Sequence, residues 1–464
     1  MASSRKRPRS DLAERVREQL LRHVPPGARV TLALSGGVDS VVGLDILARL
    51  APSYPFALSC VHVNHGISRN AGDWARFASA AARGRGVRCV VKTVDRRPYR
   101  QLGPEGAARA ARYAVFAGLR SEFVVLAQHQ DDQAETVLLQ LVRGAGLSGL
   151  AAMPAIRSQS RRRAPQLLRP LLGVPREAIE RYAREQRCAW IEDETNADER
   201  LARNLLRQRV MPLLRRLNAE APRNLARSAA HLAEANELTQ ALAAIDARDS
   251  TRNGRLSVDA LKRLPRSRAK NVLRWMILAS GHTAPASAQL DELLRQLLVG
   301  RDDAAVRVSL DAVDVRRYRG EIWLVAAEGA PPRGFRACWD RRRDWPLPEL
   351  GGVLRFRPGR GQGISAAVLA EAPLEARLRK GGERFQPDPK RPRRALKDLL
   401  QEAGVPPWER ERLPLLFSGE SLVLVPGIGV AAAFQAEPGE RGFVVAWDRL
   451  TVERPTQAKA MLKS

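Results

Sequence analysis

The sequence predicts an α/β protein: a parallel sheet covered by helices, then a helical middle domain, then a small mixed α/β C-terminal domain. Three observations carry this. Strand-like and helix-like segments alternate through the first 140 residues. From residue 204 to about 248 the pattern turns helical and is rich in Ala, Leu and Arg. From about 347 to 447 short apolar β-like runs and helical runs mix again. Repeated β–α units of this size call for parallel strands with covering helices.

Val30, Thr31, Leu32, Ala33 and Leu34 form the first strand candidate, ending in Ser-Gly-Gly. Residues 40–50 follow, with Val41, Leu44, Leu47 and Ala48 at helical spacing. Residues 56–63 read as strand, 73–82 as helix, 87–94 as strand, 105–119 as helix and 123–127 as a short apolar strand. Residues 136–142 read as helix and stop at Gly144. Right-handed crossovers then place the loops that follow the strands on one edge of the sheet, where ligands bind. Residues 153–175 read as irregular and carry the basic run Arg161-Arg162-Arg163, and 176–186 read as helix. Short helices continue over 256–298, and residues 306–327 turn β-like. Residues 331–344 read as a linker carrying Trp339. No internal repeat is found.

The hydrophobic fraction is 44% and the charged fraction 28%, ordinary values that exclude wholesale disorder. The charge is not ordinary. Lys and Arg number 78 against 50 Asp and Glu, a formal net charge of +28 over 464 residues. An excess that large points to a polyanionic partner, nucleic acid first, over a merely Arg-rich composition. Cys60, Cys89, Cys188 and Cys338 form no C-x-x-C pair, which argues against a zinc ribbon or a cysteine-held cluster. Dispersed thiols fit a reducing, cytoplasmic setting. No apolar run reaches the length of a membrane span, so no membrane partner is expected. The N-terminal MASSRKRPRS is basic with no apolar region behind it, unlike a secretory signal.

SGGVDS, residues 35–40, falls between the first strand and the first helix. Two glycines let the backbone approach a ligand closely. The N–H groups at the helix start then point at an anion, helped by the helix dipole. Ser35 and Ser40 add hydroxyl donors. Asp39 would repel a phosphate unless Mg²⁺ sits between them, so its presence implies a metal. The alternative is a plain Gly-Gly turn with an Asp/Ser cap. Six letters at the correct strand–helix junction favour the phosphate loop.

HVNHGIS, residues 62–68, follows the second strand and opens on the same edge. Taken alone, His62 and His65 read as simple loop polarity. QHQDDQAET, residues 128–136, follows the fourth strand. On a helix, Asp131 and Glu135 are four apart and Asp132 and Glu135 three apart, so they share a face. Acidic residues in a first turn also suit the helix dipole. Their place at the ligand edge favours function: holding Mg²⁺ or gripping an ammonium group. Glu105, Arg109 and Arg112 are spaced by four and three. That spacing suits a surface salt bridge, or arginines that meet a phosphate or a base.

SGGVDS resembles the PP-loop of the N-type ATP pyrophosphatase superfamily, whose members cleave ATP between the α- and β-phosphates and adenylate a carbonyl. HVNHGIS, EGAARAARY, QHQDDQAET, RPLLG (169–173) and RNLLRQRVMP (203–212) stand in one order. That order resembles the tRNA(Ile)-lysidine synthetase family. The likeness continues through RKGGERF (379–385) and LKDLLQEAGVPPWERERLPLLF (396–417), so it spans about residues 28–435. Gln128 stands where the family usually has His, and RNLLR where RNFLR is common.

The resemblance implies a parallel-sheet PP-loop ATPase domain and a two-step reaction. ATP adenylates the ring carbonyl of the wobble cytidine in a CAU-anticodon isoleucine tRNA. The ε-amine of free L-lysine then displaces AMP. The cofactors implied are ATP and Mg²⁺, and family analogy alone suggests a homodimer through the central helices. Ser35, Gly36, Gly37, Val38, Asp39, Ser40 and His65 are expected at ATP, with Asp39 at the metal. Asp131, Asp132 and Glu135 are expected at lysine, with a carboxylate such as Asp131 or Glu135 accepting a proton. Arg109 and Arg112 are expected at the cytidine or the developing charge. Arg203, Asn204, Arg207, Arg379, Lys380, Arg384, Arg393, Arg394 and Lys397 are expected at tRNA. Trp408 reads as a core or turn residue rather than a stacking platform.

The expected organisation is a basic flexible extension over 1–24, a PP-loop adenylation domain over 25–215 and a mainly helical tRNA-binding domain over 216–330. A linker over 331–345, a C-terminal tRNA-binding domain over 346–450 and a tail over 451–464, disordered after Arg454, follow. Three other classes compete. A tRNA 2-thiolation enzyme of the same superfamily would use paired cysteines, which this chain lacks. A non-catalytic tRNA-binding protein would have little use for an intact SGGVDS and DDQAET. A small-molecule amidotransferase would have no use for the basic C-terminal region.

Overall fold

The computed structural model describes residues 11–66, 68–159, 164–192, 194, 198–252, 255–299, 306–310, 313–327, 329–371 and 373–449. The N-terminal MASSRKRPRS, Arg161-Arg162-Arg163 and the tail thus lie outside the described residues, as does Ile67 of HVNHGIS. The chain divides into two compact units, Met1–Ala241 and Leu242–Ser464.

The first unit begins with α1 (Asp11–His23), β1 (Arg29–Ala33), α2 (Val38–Leu50), β2 (Ala57–Asn64), α3 (Ala71–Arg83), β3 (Arg88–Thr93), α4 (Gly103–Ala117) and β4 (Phe123–Val125). It continues with α5 (Gln130–Val142), α6 (Leu147–Leu150), β5 (Ile156–Arg157), β6 (Gln166–Leu168) and α7 (Arg176–Glu185). The sheet order is β3-β2-β1-β4-β6-β5, parallel except for the edge pair β5–β6. Strand alternation sends side chains to both faces, so both must be covered. Val30, Leu32 and Leu34 pack under Val16, Leu20, Val41, Leu44 and Ile179. On the other face Val61, Val124 and Leu167 pack with Phe116 of α4.

The chain moves outward from β1 to β2 and β3, then returns to β4 on the other side of β1. The loops after β1 and β4 therefore diverge from adjacent strands. This is the switch point at which open α/β sheets form a crevice.

Four local expectations are corrected. The fifth helix starts at Gln130, not at 136. The Asp132 carboxylate accepts the His129 N–H at 3.1 Å and closes the first turn. Residues 153–175 are not wholly irregular, because β5 and β6 complete the sheet. The helical run after 204 is interrupted: α8 (Ala202–Leu205) passes through a π-helical turn (Leu206–Val210) into α9 (Met211–Leu217), and α10 (Ala221–Ser250) follows. Residues 331–344 are more than a linker. Arg336–Cys338 is a strand paired with Leu374–Arg377, and Trp339 stacks on Phe356 with ring centroids 4.3 Å apart.

In the second unit, helices Val258–Arg263, Arg266–Ala279 and Ser287–Val299 pack on a five-stranded antiparallel sheet through Leu261, Leu273, Leu294 and Val315. A five-stranded and a four-stranded sheet follow, joined by a core that includes Leu354, Phe356, Leu416 and Val423. Among the described residues no helix is long and apolar enough to cross a membrane.

Candidate active site

The phosphate loop turns from β1 into α2. Gly36 has φ +99°, and a Cβ there would lie 3.1 Å from Ile191 Cδ1. Only glycine adopts that backbone freely, and only glycine leaves Ile191 room. The loop is internally braced. Ser40 Oγ accepts from Gly36 N at 3.1 Å and donates to Gly37 O at 2.9 Å, and Ser35 Oγ accepts from Gly37 N at 3.3 Å. The Ser40 hydroxyl, expected as a ligand donor, is thus committed to loop shape. The N–H groups of the first turn of α2, from Val38 and Asp39 onward, have no partner within the helix.

Asp39 and the start of α5 meet across the switch point. His129, 1% exposed, places Nε2 3.7 Å from Asp39 Oδ2 and 3.5 Å from Asp132 Oδ2. Its Nδ1 lies 3.9 Å from Asp131 Oδ2. Burial pushes the Asp39 carboxyl above its usual range, with His129 and Arg176 opposing. Burial also pushes on Asp132, but His129, Arg203 and Arg207 outweigh it and hold its carboxyl low.

The three acidic residues of α5 do not act as one cluster. Glu135 accepts from Arg203 Nε at 2.8 Å and from Arg207 Nε at 2.6 Å. Asp132 shares Arg207 at 3.3 Å. Asp131 turns elsewhere, accepting Arg176 N–H at 3.1 Å and Arg215 Nη2 at 2.5 Å. Asp131 and Glu135 share a face by spacing, but different arginines reach them: Arg215 from α9, against Arg203 from α8 and Arg207 from the π-helical turn.

Arg203 and Arg207, expected at tRNA, therefore face inward. Asn204, also expected there, is 8% exposed and donates Nδ2–H to Asp198 O at 3.0 Å. Arg207 rides on the π-helical turn, a geometry that recurs at functional sites.

On α4, Arg109 lies 4.8 Å over the Tyr113 ring and donates to its hydroxyl at 3.2 Å, rather than pairing with Glu105. Arg112 is exposed, with the Glu105 carboxylate and the Arg109 guanidinium close by. Gln128 accepts from Arg169 Nε at 2.5 Å, so the residue that departs from the family's His holds a buried arginine. His62 is fixed by Leu34 O at 2.9 Å from its Nδ1. His65 has a buried Nδ1 without a partner, and burial, with Arg112 and Arg96 nearby, pulls its pKa down to about 4.

Several residues escaped sequence reasoning. His129, Arg176 and Arg215 stand beside the carboxylates but come from three separate elements. Ile191 donates its N–H to Gly36 O at 3.0 Å. Glu194 accepts from Ser68 Oγ at 2.8 Å and Asn70 Nδ2 at 3.3 Å, tying the loop after β2 to the segment over the phosphate loop. The only signal was the acidic IEDE run next to a tryptophan.

In the second unit, Lys380, Arg384, Arg393 and Lys397 are exposed and lack carboxylate partners among the described residues. Arg379 pairs with Glu383 at 3.3 Å and Arg394 with Glu402. Trp408 is 9% exposed and packs edge-on against Tyr318 and Trp323.

Among the described residues no group of three or more His, Cys, Asp or Glu forms a ready metal cage. Mg²⁺ needs none, since it binds through one or two carboxylates together with substrate phosphates. Asp39 Oδ1 is buried and unpartnered, and that orphan acceptor fits such a cation.

A braced glycine loop after the first strand, facing carboxylates across the switch point, defines a PP-loop nucleotide-cleaving enzyme. A family model described as a PP-loop domain matches residues 9–214. Models described as the TilS substrate binding domain and the TilS substrate C-terminal domain match 256–323 and 374–447. The chain is 41% identical over 449 residues to a tRNA(Ile)-lysidine synthase of Nitrosomonas europaea, covering 96% of this chain and 98% of that one. It is 41% identical to the Azoarcus sp. enzyme of the same name, covering 91% and 92%. It is 43% identical to that of Ralstonia nicotianae, covering 90% and 92%. The chain belongs to the tRNA(Ile)-lysidine synthase family.

Proposed function

We propose that this chain ligates free L-lysine to the wobble cytidine of tRNA(Ile) with a CAU anticodon, giving lysidine and changing codon reading from AUG to AUA. The carrying observation is the near full-length likeness to lysidine synthases, joined to a phosphate loop and carboxylates that meet at the switch point. The 2-thiolation alternative is not favoured by these relatives.

In the first step the cytidine O2 attacks the α-phosphorus of ATP and pyrophosphate leaves. The loop's backbone N–H groups and the start of α2 would hold the phosphates, a preorganised cradle for developing charge. Asp39 would hold Mg²⁺, which when bound neutralises the leaving pyrophosphate. His65, neutral at pH 7, would supply a polar contact without competing for phosphate charge. In the second step the lysine ε-amine attacks C2, AMP leaves with the O2 oxygen, and the amine gives up a proton.

Asp131 would accept that proton. Asp132 would bind the amino acid's ammonium, and Glu135, through Arg203 and Arg207, would orient it. Arg109 and Arg112 would meet the cytidine. Lys380, Arg384, Arg393 and Lys397, joined by Arg379 and Arg394, would hold tRNA phosphates.

The test is transfer of labelled lysine to an unmodified tRNA(Ile) CAU transcript with ATP and Mg²⁺. Label in the tRNA with AMP and pyrophosphate released is the expected result. Pyrophosphate release without label would overturn lysine as the nucleophile.

A further inference from the structure

The second unit contains a cleft of about 430 Å³ that the proposed chemistry does not use. Arg255, Arg319, Glu321 and Trp323 line it from the middle sheet, and Val405 and Glu409 from the C-terminal segment. Its size falls within the range of small-ligand sites.

One wall is a stacked platform. The Arg255 guanidinium lies 3.5 Å over the Trp323 ring centroid, and Glu321 stands 3.7 Å from Arg255 Nη1. Trp323 is itself held by Trp408, with centroids 5.7 Å apart and planes at 75°. Trp408 is braced in turn by Tyr318, at 6.0 Å and 78°. Arg255 remains 35% exposed, so its planar cation is oriented but not covered. Such a plane is a stacking surface for a nucleobase.

Glu409 shares the cleft with Arg255. Its carboxyl makes no hydrogen bond or close ion pair among the described residues, and burial pushes its pKa up against the pull of Arg449 and Arg255 nearby. An unpaired, partly desolvated carboxylate is costly to keep. Two acceptor oxygens side by side match two donors side by side. Among the four standard bases only guanine presents adjacent N–H donors, N1–H and N2–H, on its Watson–Crick edge. Adenine and cytosine offer a donor beside an acceptor, and uracil a single donor between acceptors.

We propose that this cleft receives an unpaired guanine of the RNA substrate, stacked on the outer face of Arg255 and read by the Glu409 carboxylate. The inference rests on the tRNA-substrate reading above and deepens it. The cleft supplies base readout where the exposed lysines and arginines supply only phosphate contacts.

The test uses the full chain at physiological salt, with its nucleotide site saturated by a non-hydrolysable ATP analogue. Labelled UUGUU and UUAUU RNAs are titrated against wild type, Glu409→Gln and Arg255→Ala. Wild type is expected to bind UUGUU about tenfold tighter than UUAUU, within the range of a bidentate base contact. Glu409→Gln should erase that preference, and Arg255→Ala should weaken both RNAs. Because the Glu409 carboxylate is partly desolvated and makes no hydrogen bond, Glu409→Gln should melt close to wild type. Equal binding of the two RNAs, a preference that survives Glu409→Gln, or a marked loss of melting temperature would each overturn the proposal. Failure of the underlying reading would look different: wild type would not bind intact tRNA(Ile) at all.

Discussion

Arg207 Nε stands 2.6 Å from Glu135 Oε1, joining residues 72 apart in the chain. Glu135 is 2% exposed and receives Arg203 as well, so one buried carboxylate pins the α8–α9 segment onto α5. Breaking it leaves the two guanidiniums with Asp132 as their remaining carboxylate. Glu135→Gln is expected to cost about 2–4 kcal/mol, below the full value for a buried pair because both arginines keep solvent contact. Urea unfolding measures this. A double-mutant cycle with Arg207→Gln should return a coupling of about 1 kcal/mol or more. A coupling near zero would dissolve the pin.

Asp39 carries an orphaned buried oxygen, so its role is better sought in chemistry than in stability. Asp39→Ala should lower tRNA-dependent pyrophosphate release roughly a thousandfold. Its melting temperature should equal or exceed that of wild type, since a carboxyl whose pKa is raised by burial opposes folding at neutral pH. Unchanged pyrophosphate release would remove Asp39 from the reaction.

A side chain at Gly36 is strained and crowded. Gly36→Ala meets both the φ of +99° and Ile191 at 3.1 Å. A cost of about 1–2 kcal/mol is expected from the backbone alone. ATP affinity should fall with it, because the braced N–H groups move. Calorimetric titration with an ATP analogue checks this.

His65 links stability to pH. Its pKa is about 4 in the fold and about 6.5 in the unfolded chain, so the unfolded chain takes up the proton first as pH falls. The stability it allows is full above about pH 6.5 and is lost progressively down to about pH 4. His65→Gln should flatten that limb by about 1–3 kcal/mol, scored by denaturant unfolding at pH 7 and pH 5. An unaltered profile would show that His65 does not titrate there.

Lys380, Arg393 and Lys397 are exposed and lack carboxylate partners among the described residues, and phosphate contact predicts steep salt dependence. Replacing all three by Gln should reduce the slope of log K against log salt by about 3. A slope that stays put would place the tRNA elsewhere.

Much of this protein was set by its sequence alone. The β–α alternation made the parallel sheet legible, because strand and helix periodicities are local and each apolar face needs a cover. SGGVDS marked the phosphate loop for the same reason: a left-handed glycine at a strand–helix junction is a local requirement, met at Gly36. Apolar periodicity found α5 only from 136, and its start was legible only in the spacing of its acids, because the first turn is polar and closed by a side chain, Asp132 on His129 N. The strand Arg336–Cys338 was missed because its partner lies at Leu374–Arg377.

Only the tertiary structure decided how the charges are spent. Spacing grouped Asp131, Asp132 and Glu135 together. Folding gives Asp131 to Arg215 and gives Glu135 to Arg203 and Arg207. Helical spacing tells which residues share a face but not what approaches that face. In a chain with 78 Lys and Arg, the sequence leaves open which cation reaches a given carboxylate, and packing around the switch point selects it.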